Sequence, residues 1–261
     1  MFGSKRRRFA PILRRRRGGQ TCWLEETSPL AIAERLADGQ IGVLDWGRPD
    51  HMIFVLVGRA DRMDVVRRMN RIKGRPEDQV LALAGFADMA PVVADLSAAP
   101  PLHRAAQRSL CSREELVRRL FCFPVGVVLP ALPTLPSPIL DVSRPRDPTV
   151  LLAGESWTPE FGSFIDMYNA VVRELWASGI LLAGTSANRR DEDTYSIHQQ
   201  AKLWADLGES VDFAVMRREQ PPRMCSSCFA SSTILDLTKA EVVVRRHGSI
   251  HPERFRSILC E

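Results

Sequence analysis

Arg71-Ile72-Lys73-Gly74-Arg75-Pro76-Glu77-Asp78 is the stretch on which the fold turns. It gains its meaning beside a second one, Gly184-Thr185-Ser186-Ala187-Asn188. The first carries two cations at spacing two; the second carries a hydroxyl and an amide at spacing two. In an extended segment that spacing puts both side chains on one face. Brought together, the two pairs would make a pocket with two fixed positive charges and neutral hydrogen-bonding groups. Such a pocket suits a polyanion such as a nucleoside triphosphate. On spacing alone, Lys73 and Arg75 also read as a solvated cation pair favoured by a helix dipole. Ser186 and Asn188 also read as turn residues.

The pattern around these stretches is that of an α/β chain. Met63, Val66, Met69 and Ile72 recur at i, i+3 spacing, which predicts a helix capped by Asp61 and ending at Ile72. A buried strand is predicted at 80–84. An apolar strand at 180–183 would put Thr185 to Asn188 at its C-terminal end, where ligands commonly bind in α/β sheets. Ser28-Pro29 reads as the cap and first residue of a helix stopped at Gly39. Further strands are predicted at 41–44, 52–57, 125–129, 150–152, 211–215, 233–237 and 242–245. They alternate with helices at 113–121, 161–177, 196–207 and 252–259. Alternation of this kind predicts an α/β fold. The proline-rich stretch 130–148 reads as an irregular excursion.

A chain of 261 residues can bury the core of one large domain. It has no apolar run near the roughly 18 residues of a membrane span, and its start lacks the apolar region of a secretory signal. Its six cysteines do not suggest a disulfide scaffold, so a cytoplasmic location is expected. The net charge of +5 is unevenly placed. Lys5, Arg6, Arg7, Arg8, Arg14, Arg15, Arg16 and Arg17 all precede the first acid, Glu25, and leave the remainder at −3. This divides the chain into a basic tail at 1–22, expected to be disordered and able to bind phosphate backbones, and a globular domain at 23–261.

There is no Gly-x-x-x-x-Gly-Lys-Ser/Thr loop. If the protein binds ATP, side chains must hold the phosphates, and Lys73, Arg75 and Arg246 are the candidates. Cys225-Ser226-Ser227-Cys228 is a lone Cys-x-x-Cys without a matching second pair, and the histidines form no metal-ligand spacing. No structural metal is expected.

Five segments, in order between residues 30 and 259, resemble the Sua5/YrdC/YciO family. Ile72-Lys73-Gly74-Arg75-Pro76-Glu77-Asp78 looks like its Lys-x-Arg-Pro stretch. Thr185-Ser186-Ala187-Asn188 looks like its Thr-Ser-Ala-Asn. Ser231-Ser232-Thr233-Ile234-Leu235-Asp236 and Arg246-His247-Gly248-Ser249-Ile250 resemble the Ser-Thr-Ile-Val-Asp strand and the Arg-x-Gly-x-Ile that follows it. Phe123-Pro124-Val125-Gly126-Val127-Val128-Leu129-Pro130 echoes a Pro-Gly-Pro-Val-Thr segment.

The resemblance implies a single domain with a twisted mixed sheet and an open basic concave face. It implies a nucleotidyltransferase that makes threonylcarbamoyl-AMP from threonine, bicarbonate and ATP for tRNA adenosine modification. Lys73 and Arg75 would neutralise carbamate and phosphate oxygens. Ser186 and Asn188 would orient the carboxylate or nucleotide. Ser232, Thr233 and Arg246 would hold the triphosphate, with Mg²⁺ bridging its oxygens. A downstream carbamoyl-transfer protein is the implied partner.

Two places depart from the family pattern. Asp45-Trp46-Gly47-Arg48-Pro49-Asp50-His51-Met52 stands where the family has Pro-Thr-x-Thr-x-Tyr-Gly-Leu. Leu152-Ala153-Gly154 stands near its Arg-Val-Pro. These departures keep open a diverged enzyme acting on another amine or acyl group. A non-catalytic module that binds RNA through the tail and the concave face is the third reading.

Overall fold

Ser28 acts as its place before Pro29 predicts: its hydroxyl accepts the Ala31 N–H at 3.2 Å and starts the first helix. In the computed structural model the described residues are 19–23, 26–48, 51–143, 147–154, 166–189, 195, 199–216, 218, 232–248 and 250–259. The basic run up to Arg17, and Cys225 with Cys228, lie outside them. In chain order the elements are β1 (Gln20–Trp23), α1 (Pro29–Ala37), β2 (Gly42–Arg48), β3 (His51–Arg59), α2 (Met63–Ile72), β4 (Ala82–Gly85), α3 (Ala90–Val93), α4 (Pro100–Ser109), α5 (Arg113–Leu120) and β5 (Val125–Pro130). They continue with β6 (Leu140–Asp141), β7 (Thr149–Gly154), α6 (Asp166–Ala177), β8 (Leu182–Ser186), α7 (Gln200–Leu207), β9 (Phe213–Met216), β10 (Thr233–Asp236), β11 (Val243–Arg246) and α8 (Pro252–Ile258).

The strands form one mixed sheet in the order β1-β9-β2-β3-β8-β4-β7-β5-β10-β11, with β6 added alongside β7. Parallel pairs, such as β4 with β7 and β5 with β10, alternate with antiparallel ones, such as β3 with β8 and β5 with β7. The predicted α/β class is therefore correct. The central strands are apolar because both their faces are covered or enclosed. Val125, Val127 and Leu129 are fully buried, as are Leu83, Leu152 and Ala183. On one face, a Cβ at Gly58 would meet Val65 and Met69 of α2, and one at Gly85 would meet Met89. The helices on that side thus approach the sheet where it lacks side chains.

Three sequence expectations change. Asp61 does not cap α2: it takes two hydrogen bonds from the Arg59 guanidinium. The helix starts at Met63 without a side-chain cap, with Asp64 in its first turn. Gln20, Thr21 and Cys22, assigned to the tail by charge, belong to β1, which pairs in parallel with β9 and extends the sheet. Helix α4, which opens on Pro100-Pro101, is not among the predicted helices. Both prolines occupy the first turn, where a missing N–H costs nothing.

Candidate anion-binding site

The Lys73-Gly74-Arg75 stretch owes its shape to the way α2 ends. Gly74 adopts φ +65°, its N–H donates to Arg71 O at 3.0 Å, and the Arg75 N–H donates to Asn70 O at 2.9 Å. These two bonds make a Schellman C-cap, which glycine enters without Cβ strain. The Asn70 side chain then holds the following loop, donating to Glu77 O at 3.1 Å and Gln79 O at 2.7 Å. The two cations therefore do not share the face of an extended segment, as their spacing suggested. The cap turns Lys73 inward, to 1% exposure, and leaves Arg75 half-buried.

Lys73 reaches β8. Its ammonium donates to Ser186 O and, at 3.0 Å, to Asn188 Oδ1. The Ser186 hydroxyl donates to the same Asn188 Oδ1 at 2.6 Å, and Asn188 Nδ2 donates to Arg189 O at 3.1 Å. Arg75 donates to Thr185 Oγ1 at 3.3 Å. The two stretches quoted from the sequence thus meet, as expected. Lys73, however, lies behind the segment it was expected to face across a pocket. Burial first, then the charges of Arg75 and Arg246, bring its pKa down to about 7.

Strand register decides what else shares this place. Val55 pairs with Ser186, Val57 with Gly184, Gly184 with Ala82, Ala84 with Ala153, Ala153 with Gly126, and Gly126 with Ile234. Paired residues point to one face of a sheet. Here most of them are alanine or glycine, so the surface is hollow. The hollow is a cavity of about 230 Å³. Ile53, Val55, Leu81, Leu151 and Ile234 give it an apolar wall; Arg75 and Arg246 bring charge; Gln79, Thr185, Ser186 and Ser232 bring neutral polar groups.

Of the seven residues expected at the site, Arg75, Ser186, Ser232 and Arg246 line this cavity. Arg246 donates to Ser232 O at 3.0 Å; burial of its guanidinium, and then Arg75, hold its pKa below the ordinary value. It remains an arginine, charged at any physiological pH. Lys73 and Asn188 sit behind Ser186. Thr233 does not reach the cavity: strand alternation turns it to the opposite face, where it is wholly buried. Its hydroxyl donates to Ile250 O and accepts the Gly248 N–H at 3.1 Å, tying down the chain after β11. Thr233→Val should therefore lower stability by about 2 kcal/mol, through two orphaned backbone groups, and leave ligand affinity unchanged. Urea unfolding and nucleotide titration of the variant check both halves.

Sequence reasoning missed Gln79, the apolar wall and Tyr168. Tyr168 on α6 lines the cavity, and its hydroxyl is 3.7 Å from where a Cβ at Gly184 would stand. Burial pushes its phenol pKa well up, so it stays protonated and can donate a hydrogen bond. The helix predicted over 161–177 covers α6, but the prediction did not distinguish the face that meets the cavity.

No carboxylate lines the cavity among the described residues, and those residues hold no cluster of histidine, cysteine or acid that could bind a metal ion. Among the described residues the cavity lining therefore offers no carboxylate to a Mg²⁺ ion.

Solved structures match this arrangement along most of its length. Sua5 of P. abyssi, in a complex with L-threonine, superposes with a TM-score of 0.63 over 92% of this chain, at 19% identity. E. coli YciO superposes with a TM-score of 0.64 over 91% of this chain and 99% of its own, at 16% identity. The fold is YrdC-like. HypF in its phosphate- and nucleotide-bound form shares the YrdC-like fold at a TM-score of 0.55 over 85% of this chain, at 13% identity. The chain spans 60% of the length of Sua5 and 29% of HypF. No protein-family model matches the sequence, and no curated protein sequence does. Identities below 20% speak to the YrdC-like fold, and function rests on the site's own residues. No helix among the described residues is long and apolar enough to cross a membrane.

Proposed function

We propose that the cavity binds ATP and that the protein is a nucleotidyltransferase that joins a carbamate to AMP. The observation that carries this is the convergence of Arg75 and Arg246, from opposite ends of the sequence, on one hollow that also presents the Ser186 and Ser232 side chains. Two guanidiniums with the Ser232 hydroxyl beside them suit phosphate oxygens. Sua5 binds L-threonine in its solved complex, which supports threonine as the first candidate amine. An amine and bicarbonate condense to a carbamate with loss of water. A carbamate oxygen then attacks the α-phosphorus, and pyrophosphate leaves. No covalent enzyme intermediate is required, so the protein's part is to hold the reactants in line and offset negative charge. Arg75 and Arg246 would do the second. Ser186 would do the first: its proton is committed to Asn188, so its lone pairs are available to an amine or hydroxyl of the substrate.

A second enzymatic reading, an amine other than threonine, is favoured by the cavity's apolar wall of Ile53, Val55, Leu81, Leu151 and Ile234. Both readings are tested together by pyrophosphate release from ATP and bicarbonate, measured with threonine and then with each other amino acid. Stimulation by threonine supports the first, and stronger stimulation by an aliphatic amino acid supports the second. Absence of release with every amine, alongside RNA binding by the whole chain, would leave the non-catalytic module standing.

A further inference from the structure

Lys73 is the anomaly of the site. Ion pairs elsewhere are plentiful: Arg68 with Asp212, and Arg245 with the buried Asp236, are examples. Lys73 is more buried than either arginine, yet it has no carboxylate partner among the described residues. Its two acceptors, Ser186 O and Asn188 Oδ1, are both neutral. The charged groups that act on it are Arg75 from the same turn and Arg246 from β11, both of its own sign. The nearby titratable group of α6 is the Tyr168 phenol, which stays neutral. A buried ammonium in such a setting is unfavourable unless an anion arrives. A neutral amine fits what is there, since its two N–H donors match the two acceptors.

We infer that Lys73 is the proton-binding residue of the site, neutral when the cavity is empty and protonated as an anion settles against Arg75 and Arg246. The geometry gives the reason. Both arginines line the cavity, so an anion held by them outweighs the like charges that now disfavour a proton on Lys73. Ser186 lies between the two places: its hydroxyl side chain lines the cavity and its carbonyl accepts from Lys73. The pKa of about 7 for the empty site agrees. Anion binding and proton binding are then linked, each strengthening the other. The inference rests on the cavity being an anion site and not on the identity of the amine.

The chain makes the test simple, because its only lysines are Lys5, Lys73, Lys202 and Lys239. The full chain, labelled uniformly with ¹³C and ¹⁵N so that lysine side chains and backbone amides are both read, is titrated by NMR from pH 5.5 to 10.5 with and without sulfate, which stays a dianion throughout. One lysine should titrate near neutrality. That signal should vanish in Lys73→Met. If Lys73→Met does not fold, Lys5→Gln, Lys202→Gln and Lys239→Gln assign the signal by elimination. Saturating sulfate should raise its midpoint by about one pH unit or more, equivalent to a tenfold tighter hold on the anion by the protonated form. Titration of every lysine near 10 in the free protein overturns the inference and leaves the anion site intact. A bound sulfate, seen at the Thr185 and Ser232 amides, that leaves the Lys73 midpoint in place also overturns it. Sulfate that perturbs neither removes the anion site itself, and the proposed function with it.

Discussion

The stability difference between the wild-type chain and Lys73→Met should shift by about 4 kcal/mol in favour of wild type as pH rises from 7 to 10. In the unfolded chain Lys73 binds its proton up to about pH 10.4. In the folded chain burial and two arginines let it go at about 7. Between those values the unfolded state holds more protons than the folded state, so folding stability rises with pH. Three or so pH units at about 1.4 kcal/mol each give the figure. Methionine does not titrate, and all other groups cancel in the comparison. Below pH 7 the wild type carries the full cost of a charged, buried ammonium, and there Lys73→Met should come closest to wild type or exceed it. At high pH the variant should lag, because Ser186 O is left with the Asn188 N–H and Asn188 Oδ1 with the Ser186 hydroxyl, each having lost the Lys73 donor. Urea unfolding of both proteins at four pH values from 6.5 to 9.5 measures the trend. A gap that does not change with pH would mean that Lys73 keeps its proton in the fold.

Arg75→Lys is expected to lower pyrophosphate release by about 10²-fold, the scale of a lost transition-state donor. Arg75→Ala should do no worse. Lysine keeps the charge but lacks the planar fork that can give two parallel bonds to phosphate, and so should not rescue. The guanidinium is half-buried at the mouth of the cavity and bonds to Thr185 Oγ1, a partly buried hydroxyl that can turn elsewhere. Loss of the fold is therefore not expected, and the melting temperature should fall by only a few degrees. The signature is a fall in kcat and in kcat/KM together. Wild-type turnover in Arg75→Lys would remove Arg75 from the chemistry. Wild-type turnover with a raised KM would reduce it to a binding contact.

The alternation of helix and strand was legible because it rests on local periods. The cap at Ser28 was legible because one hydroxyl before a proline-led apolar run makes it, and it accepts the N–H three residues on. The meeting of 73–75 with 185–188 was legible only through resemblance, since no local pattern tells which strands pair. What failed did so for a physical reason. Spacing two was read as one face of an extended segment, but at Lys73 and Arg75 the backbone is a helix cap, and Gly74 reverses it. At Thr233, by contrast, the strand β10 begins, so it and Ser232 just before it part to opposite faces and only Ser232 reaches the cavity. The apolar wall could not be read at all. Its residues come from separate strands, and each looks like ordinary core until the register sets them side by side.

That register also has a consequence in time. Lys73 and Ser186 are 113 residues apart, and Arg246 comes from β11, a strand that pairs with β10 at the sheet edge. No part of the hollow can exist on a growing chain until β8 has been made and has paired with β3. Its second guanidinium is missing until residue 246 has left the ribosome. Contacts of such long reach form slowly. During synthesis the early strands must therefore wait, with unpaired edges, for partners made later. The ability to hold an anion is among the last properties the molecule acquires, and it reports that the strands from β3 across to β11 have paired.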